Sequence, residues 1–233
     1  MRAKIRALGQ HFLADRHVLG KILAASALGK DEIACEAGTG NSILTAELCK
    51  HARHVISYEV DRKLYEKARL KGFENLQLVN ADLFKVNNIE FDVFVSNLPY
   101  SRSRDALQWL ATTKQFKRAI VMVQREFANK ISARPGDENY RAISAICSYC
   151  FEIERLFGVS KDAFTPPPKV ESEVIRLVPI STINVDIVKK INVLFSQRSK
   201  KATRVAAKMG IPLDFGDRKI DQLMPEEIMR IAG

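Results

Sequence analysis

The stretch Ile33-Ala-Cys-Glu-Ala-Gly-Thr-Gly-Asn-Ser42 decides the fold, because it combines a short apolar strand with a glycine turn. An apolar helical pattern follows at once, through Ile43, Leu44 and Leu48. Strand, glycine turn and helix form the nucleotide-binding opening of a doubly wound α/β sheet. The turn lacks the Gly-Lys-Ser/Thr ending of a phosphate loop, which disfavours a triphosphate ligand.

Four predicted strands alternate with helices, and each is followed or ended by a polar residue. The strands span residues 33–37, 54–59, 76–79 and 91–97, and the polar residues are Glu36, Glu59, Asp82 and Asn97. Ligands bind at the carboxyl ends of such strands, so we expect these side chains to share one crevice. Glu36 would hold a cationic ligand, Glu59 is placed to bind two ribose hydroxyls, and Asp82 to accept from an adenine amino group. The alternatives are a helix N-terminal carboxylate for Glu59 and a turn residue for Asp82.

The candidate catalytic turn is Asn97-Leu-Pro-Tyr100. The amide oxygen of Asn97 and the carbonyl of Leu98 can accept both N–H hydrogens of a planar amine such as adenine N6. Held in this way, the nitrogen can pyramidalise and direct its lone pair at an electrophilic carbon. Pro99 restricts this backbone, and Tyr100 offers a ring for stacking. The alternative is an ordinary exit from a strand into a loop.

A second ring is predicted to face the target base. Pro166, Pro167 and Pro168 form a stiff, extended run, which would present Phe164 as a fixed ring opposite Tyr100. The base would then lie sandwiched between Phe164 and Tyr100. The alternative is that Phe164 is a core residue.

Composition narrows the classes of partner. The 233 residues carry a formal net charge of +10, which favours a polyanionic partner such as nucleic acid. The alternative is a surface of solvated lysines without such a partner. Cys147 and Cys150 form a lone C-x-x-C in an apolar helical pattern, which indicates core packing and no metal site. No apolar run reaches the roughly 20 residues of a membrane span. We expect a protein of the reducing cytoplasm with no membrane association.

Residues 8 to about 180 resemble the class I S-adenosylmethionine-dependent methyltransferases, and more closely the small-subunit ribosomal RNA adenine N6-dimethyltransferases of the KsgA type, at their archaeal end. The similar motifs are Leu8-Gly-Gln-His-Phe-Leu-Ala-Asp15, Glu36-Ala-Gly-Thr-Gly40, Tyr58-Glu-Val-Asp61, Asn80-Ala-Asp82, Asn97-Leu-Pro-Tyr100, Met122-Val-Gln-Arg-Glu-Phe-Ala128 and Phe164-Thr-Pro-Pro-Pro-Lys-Val-Glu-Ser172. The chain departs from the family pattern at His11, where Asn is common, at Ser42, where a third glycine is usual, and at Asp105, where Pro often begins the next helix.

The resemblance implies S-adenosyl-L-methionine as the cofactor and ribosomal RNA in small-subunit particles as the partner, with two adjacent adenines dimethylated. The cofactor-lining residues it implies are His11, Leu13, Glu36, Gly38, Gly40, Glu59, Asp82 and Asn97. Two rival interpretations are a large-subunit rRNA adenine N6-methyltransferase and a non-catalytic ribosome-assembly or RNA-binding factor on the same fold.

The composition shifts after residue 180, which predicts a methyltransferase domain over residues 1–180 and a small helical domain over 181–233. Residues 187–213 hold seven basic residues and no acidic one. The basic residues expected to contact RNA phosphates are Arg198, Lys201, Arg204 and Lys208. A solvated helix face is the alternative. About fifty residues are too few to fold alone, so we expect these helices to pack on the sheet domain of a monomer.

Overall fold

The computed structural model describes residues 11–233, so Leu8, Gly9 and Gln10 of the first motif lie outside the described part. The strands are β1 Phe12–Leu13, β2 Ile33–Ala37, β3 His54–Tyr58, β4 Leu76–Val79, β5 Val93–Asn97, β6 Arg118–Gln124, β7 Phe151–Val159, β8 Phe164–Thr165 and β9 Ser172–Pro179. The α-helices are α1 Arg16–Ser26, α2 Ile43–His51, α3 Arg62–Arg69, α4 Ser103–Thr112, α5 Arg125–Ile131, α6 Ala142–Cys150, α7 Val185–Phe195, α8 Ala202–Lys208 and α9 Pro225–Ala232.

Seven strands form one sheet in the order β4-β3-β2-β5-β6-β9-β7. The first five run parallel, whereas β9 is antiparallel to both of its neighbours. The chain builds outward from β2 to β4 and then returns to place β5 on the other side of β2. Ligands bind at such a reversal of strand order, outside the carboxyl ends. The predicted Rossmann-like α/β sheet is confirmed.

The sheet is buried on both faces, as its apolar strands predict. Phe94 of β5 joins the core cluster on one face, and Val93 and Val95 join the cluster on the other. Cys147 and Cys150 are fully buried in α6, which confirms that they pack in the core.

Two helix starts follow from capping aspartates. The Asp15 carboxylate accepts from the backbone N–H of His17 at 2.8 Å, and the Asp61 carboxylate accepts from that of Lys63 at 2.8 Å. Each bond satisfies a backbone donor that has no partner in the first turn of the helix.

The C-terminal helices share the core of the sheet's helical layer. Phe195 of α7 packs edge-on against the buried Tyr140, with ring centroids 5.6 Å apart. The Tyr140 hydroxyl donates to the Leu223 carbonyl at 3.2 Å, and the Ile183 N–H donates to the Ala111 carbonyl at 3.0 Å. The helices after residue 180 therefore pack on the rest of the chain, as expected.

The strand β7 is not predicted from the sequence, which indicates an apolar helix through Cys150 but no strand directly after it. β7 lies at the edge of the sheet, pairs with β9, and carries an irregularity between Arg155 and Phe157. Its outward residues are exposed in a broken pattern that hides the alternation of a strand. Within residues 11–233, no helix has the length and apolar character needed to span a bilayer.

Candidate active site

A cleft opens at the carboxyl edge of the parallel strands. It is lined by His11, Leu13, Glu36, Gly38, Gly40, Glu59, Asp82 and Asn97, together with Leu98, Pro99 and Tyr100 of the candidate catalytic turn. The structure thus brings together residues from five separate sequence motifs. Lining residues that the sequence analysis did not single out include Phe12, Val60, Phe84 and Arg102.

The glycine turn wraps the end of β2 in left-handed backbone. Gly38 has φ 83° and Gly40 has φ 56°, and a Cβ on Gly40 would lie 3.3 Å from the Phe12 ring. Ser42 also has a left-handed φ of 63°, which explains why a glycine is usual at this position. The departure at Ser42 therefore keeps the turn at some cost in backbone strain.

Glu36 is buried at the base of the cleft within a network of hydroxyl groups. Its Oε2 accepts from Thr45 Oγ1 at 2.7 Å and from Ser57 Oγ at 2.6 Å. Burial raises the pKa of Glu36 to about 7, against the opposing effect of the two hydroxyl donors. A cation bound in the cleft would favour the charged form of this carboxyl.

Glu59 ends the second strand motif with its carboxylate fixed by the backbone. Oε2 accepts from the Gly40 N–H at 2.9 Å and Oε1 from the Asp61 N–H at 2.8 Å. Burial raises the pKa of Glu59, and these two donors oppose the rise. Each carboxylate oxygen can accept a further hydrogen, so the group can still receive both hydroxyls of a ribose.

Asp82 carries an ion pair that local sequence patterns did not reveal. Arg102 Nη2 lies 3.1 Å from Asp82 Oδ1 and 3.0 Å from Oδ2. The backbone N–H of Phe84 also donates to Oδ1, at 3.1 Å. Asp82 is thus both the residue before a 3₁₀ turn, as in the alternative interpretation, and a lining residue of the cleft.

The candidate catalytic turn is held from two sides. Asn97 Nδ2 donates to the His11 carbonyl at 3.3 Å, while the Tyr100 hydroxyl and Ser172 Oγ lie 2.6 Å apart. The His11 and Tyr100 rings are tilted by 31° with centroids 5.7 Å apart. Because a carbonyl only accepts, the 2.9 Å contact from His11 Nδ1 to the Pro166 oxygen places a proton on Nδ1.

The structure places Phe164 in the apolar core, and the sandwich of a base between Phe164 and Tyr100 stays a prediction. Phe164 is 3% exposed and packs among buried apolar side chains. Its backbone pairs with Leu13 in the ribbon formed by β1 and β8. Phe164 is absent from the described residues that line the cleft. This burial agrees with the alternative interpretation, in which Phe164 is a core residue.

The predicted RNA-contacting residues lie away from the cleft lining, on and beside α8. Lys201, Arg204 and Lys208 are exposed, and Arg198 is half-buried. Lys201 Nζ forms an ion pair with Asp217, so its charge is partly neutralised.

The charged side chains that line the cleft indicate the kind of ligand that fits. Three carboxyl groups, on Glu36, Glu59 and Asp82, line it, and Arg102 is already paired with one of them. Such a set repels phosphates and suits a cationic nucleoside. Among the described residues, no three His, Cys, Asp or Glu side chains cluster closely enough to hold a metal ion.

Comparison with known proteins agrees with this geometry. A family model described as ribosomal RNA adenine dimethylase matches residues 1–210. A ribosomal RNA small subunit methyltransferase A of Caldanaerobacter subterraneus subsp. tengcongensis is 36% identical over 188 residues, covering 76% of this chain and 70% of the relative. A probable ribosomal RNA small subunit methyltransferase A of Pyrococcus abyssi is 32% identical over 243 residues, covering 96% and 89%.

Solved structures show the same fold. A dimethyladenosine transferase from Plasmodium falciparum superposes with a TM-score of 0.78 at 23% identity, over 95% of this chain and 96% of that one. The 23S rRNA methyltransferase ErmE superposes with a TM-score of 0.66 at 26% identity, over 95% and 98%. With the sheet, the glycine turn and the Asn97 turn in place, the chain belongs to the ribosomal RNA adenine dimethylase family of class I methyltransferases.

Proposed function

We propose that this protein transfers methyl groups from S-adenosyl-L-methionine to N6 of adenine in small-subunit ribosomal RNA, dimethylating two adjacent adenines during ribosome assembly. The observation that carries the proposal is the meeting of Asn97 with Glu59 and Asp82 in one cleft. The two relatives described above bear the name ribosomal RNA small subunit methyltransferase A, one of them as probable. We infer that the protein acts as a monomer in the cytoplasm.

The cofactor fits the cleft through its nucleoside and its charge. Glu59 is positioned for the ribose hydroxyls and Asp82 for the adenine amino group, while the buried carboxyl of Glu36 favours a cation nearby. Gly38 and Gly40 let the backbone approach the ligand, because neither carries a Cβ. When bound, the cofactor supplies a methyl group already activated on a sulfonium.

The turn Asn97–Tyr100 holds the target base. Asn97 Nδ2 is bonded to the His11 carbonyl, so its Oδ1 remains to accept one N6 hydrogen, and the Leu98 carbonyl accepts the other. The lone pair of the nitrogen then points along one direction, and alignment of donor and acceptor supplies most of the rate. Extruding the base from its stack costs roughly a few kcal/mol, which stacking on Tyr100 offsets in part.

Contacts to the RNA backbone are assigned to the basic residues on and beside α8. Arg204 and Lys208 are exposed and lie one helical turn apart, on the same side of α8. We assign Lys201 and Arg198 a smaller share, because Lys201 is paired with Asp217 and Arg198 is half-buried.

A large-subunit RNA substrate is the second candidate, favoured by the superposition with the 23S rRNA methyltransferase ErmE. The test is methyl transfer from labelled S-adenosylmethionine to small-subunit particles and, separately, to large-subunit RNA, followed by mapping of the methylated adenines. We expect label on two adjacent adenines of the small-subunit RNA. Label on large-subunit RNA alone supports the second candidate, and no label on either indicates an assembly or RNA-binding factor.

A further inference from the structure

Arg102 connects the two halves of the cleft. It ends the 3₁₀ helix Tyr100–Arg102, directly after the turn Asn97–Pro99, and its N–H donates to the Pro99 carbonyl at 2.8 Å. Its side chain reaches back to Asp82, twenty residues earlier, on the side of the cleft that is assigned to the cofactor's adenine. One side chain therefore spans from the turn for the target base to the subsite for the cofactor.

The guanidinium of Arg102 is held on three sides. Nη2 donates to both oxygens of Asp82, and Nε lies 2.9 Å from Asp105 Oδ2 in an ion pair that lacks hydrogen-bond geometry. Its central carbon lies 5.1 Å from the centre of the Phe84 ring. The Arg102 side chain is 34% exposed, so most of its surface is covered by the protein. Asp105 is one of the positions where this chain departs from the family pattern, and here it supports Arg102.

Asp82 can bind Arg102 and a ligand at the same time. An ionised carboxylate offers about four lone-pair sites. The Phe84 N–H and Arg102 take up Oδ1, whereas Oδ2 contacts Arg102 alone. A site on Oδ2 therefore stays open for an adenine amino group, and the ion pair does not compete with the cofactor.

We propose that Arg102 is a positioning residue for methyl transfer: by bridging Asp82 to the 3₁₀ helix after Asn97-Leu-Pro-Tyr100, it fixes the distance between the bound cofactor and the target adenine. This inference rests on the proposed function. It assigns Arg102 an effect on alignment, and hence on kcat, more than on the affinity for either ligand.

A direct role in RNA binding is less compatible with these contacts. The carboxylates of Asp82 and Asp105 both form ion pairs with the Arg102 guanidinium, which weakens its attraction for a phosphate. Removing an Arg that binds RNA phosphate would raise the KM for RNA and change the dependence of that KM on salt. The two roles therefore differ in a measurable way.

The test compares Arg102→Met and Arg102→Lys with wild type. Three quantities are measured: the affinity for S-adenosylhomocysteine by calorimetry without RNA, the KM for the RNA substrate, and kcat at saturation. We expect Arg102→Met to lower kcat by about tenfold to a hundredfold, with the affinity and the KM within a few-fold of wild type. Arg102→Lys keeps the charge but reaches fewer carboxylate oxygens, so its kcat should lie between those of wild type and Arg102→Met.

A double-mutant cycle with Asp82→Asn shows whether the bridge is the cause. If Arg102 acts through Asp82, the loss of kcat from Arg102→Met should shrink markedly in the Asp82→Asn background. Arg104→Met removes an exposed charge from the next turn and is the matched control, with an unchanged kcat expected. Thermal unfolding of each variant confirms that it is folded.

Three outcomes overturn the inference. The first is an unchanged kcat in Arg102→Met, and the second is a raised, salt-dependent RNA KM as the main effect of that variant. The third is a double mutant whose loss of kcat equals the product of the losses in Arg102→Met and Asp82→Asn. Failure of the wild-type protein to bind S-adenosylhomocysteine would overturn the proposed function itself. The two failures are therefore distinguishable.

Discussion

Asn97 Nδ2 donates to the backbone carbonyl of His11 at 3.3 Å, across 86 residues of sequence. This bond ties the end of β5 to the segment that begins the described chain, and it orients the side-chain amide. With the nitrogen bonded to the His11 carbonyl, the amide oxygen is the acceptor that this side chain offers to a ligand amine. His11 Nδ1 itself donates to the Pro166 carbonyl at 2.9 Å, so the candidate catalytic turn is supported by a segment far away in sequence.

Tyr100 tests the stacking role. Tyr100→Phe removes the 2.6 Å contact with Ser172 Oγ but keeps the ring, so we expect kcat/KM within a few-fold of wild type. Tyr100→Ala removes the ring, and stacking of a base on an aromatic side chain contributes about 1–3 kcal/mol, so kcat/KM should fall by about fivefold to a hundredfold. Equal activity of the two variants in steady-state methylation assays would argue against stacking.

Glu36 makes stability depend on pH. Burial raises its pKa from 4.5 to about 7, so the folded protein keeps this proton where the unfolded chain has lost it. The contribution to the free energy of unfolding is therefore full below pH 4.5 and is lost as pH rises through about 7.

Glu36→Gln removes the titrating group but keeps a hydrogen-bond acceptor for Thr45 and Ser57. Between about pH 5 and about pH 8, we expect the free energy of unfolding to fall less in Glu36→Gln than in wild type, by up to about 3 kcal/mol. Urea denaturation of the free protein over this range measures the effect. The exposed Glu74→Gln is the control and should keep the wild-type pH dependence. The same slope in Glu36→Gln as in wild type would refute the assignment.

Gly40 tests the close contact between the glycine turn and Phe12. A Cβ on Gly40 would lie 3.3 Å from the Phe12 ring, whereas a Cβ on Gly72, which also has a positive φ, would meet open space. Alanine should cost about 1–2 kcal/mol at either position because of the left-handed backbone. Only Gly40→Ala should also weaken cofactor binding, as measured by calorimetry. Equal cofactor affinities in the two variants would show that the turn does not need this contact.

The basic residues on α8 are tested through salt dependence. Arg204→Glu combined with Lys208→Glu should weaken RNA binding and reduce the slope of log affinity against log salt by about two. Lys30→Glu with Lys50→Glu makes the same change in charge at exposed positions near the amino edge of the sheet. An unchanged slope in the α8 variant, or an equal loss in the control, would count against a phosphate-binding face.

Much of the fold and of the cleft follows from local sequence patterns. Buried strands, the capping residues Asp15 and Asp61 and the glycine turn each have a short-range signal, because strand burial and helix capping depend on neighbouring residues. The carboxyl ends of parallel strands meet at one edge by topology. The meeting of Glu59, Asp82 and Asn97 therefore needs no knowledge of side-chain detail.

Other features depend on contacts between distant segments. The burial of Phe164 is set by the pairing of β8 with β1, two strands of two residues each, whose local pattern is too short to recognise. The Arg102–Asp82 pair joins a 3₁₀ helix to a turn twenty residues earlier, and nothing within either segment predicts the other. The strand β7 is an edge strand whose outer face is in water, so its apolar alternation is weak.

The most direct test of the account is the rate of methyl transfer by Asn97→Ala at saturating cofactor and RNA, measured together with its cofactor affinity. Asn192→Ala, at an exposed position on α7, is the matched control. Loss of one of the two oxygens that hold the target amine should lower the rate by at least about a hundredfold. Cofactor affinity should stay within a few-fold of wild type. A near-normal rate in Asn97→Ala would contradict the account.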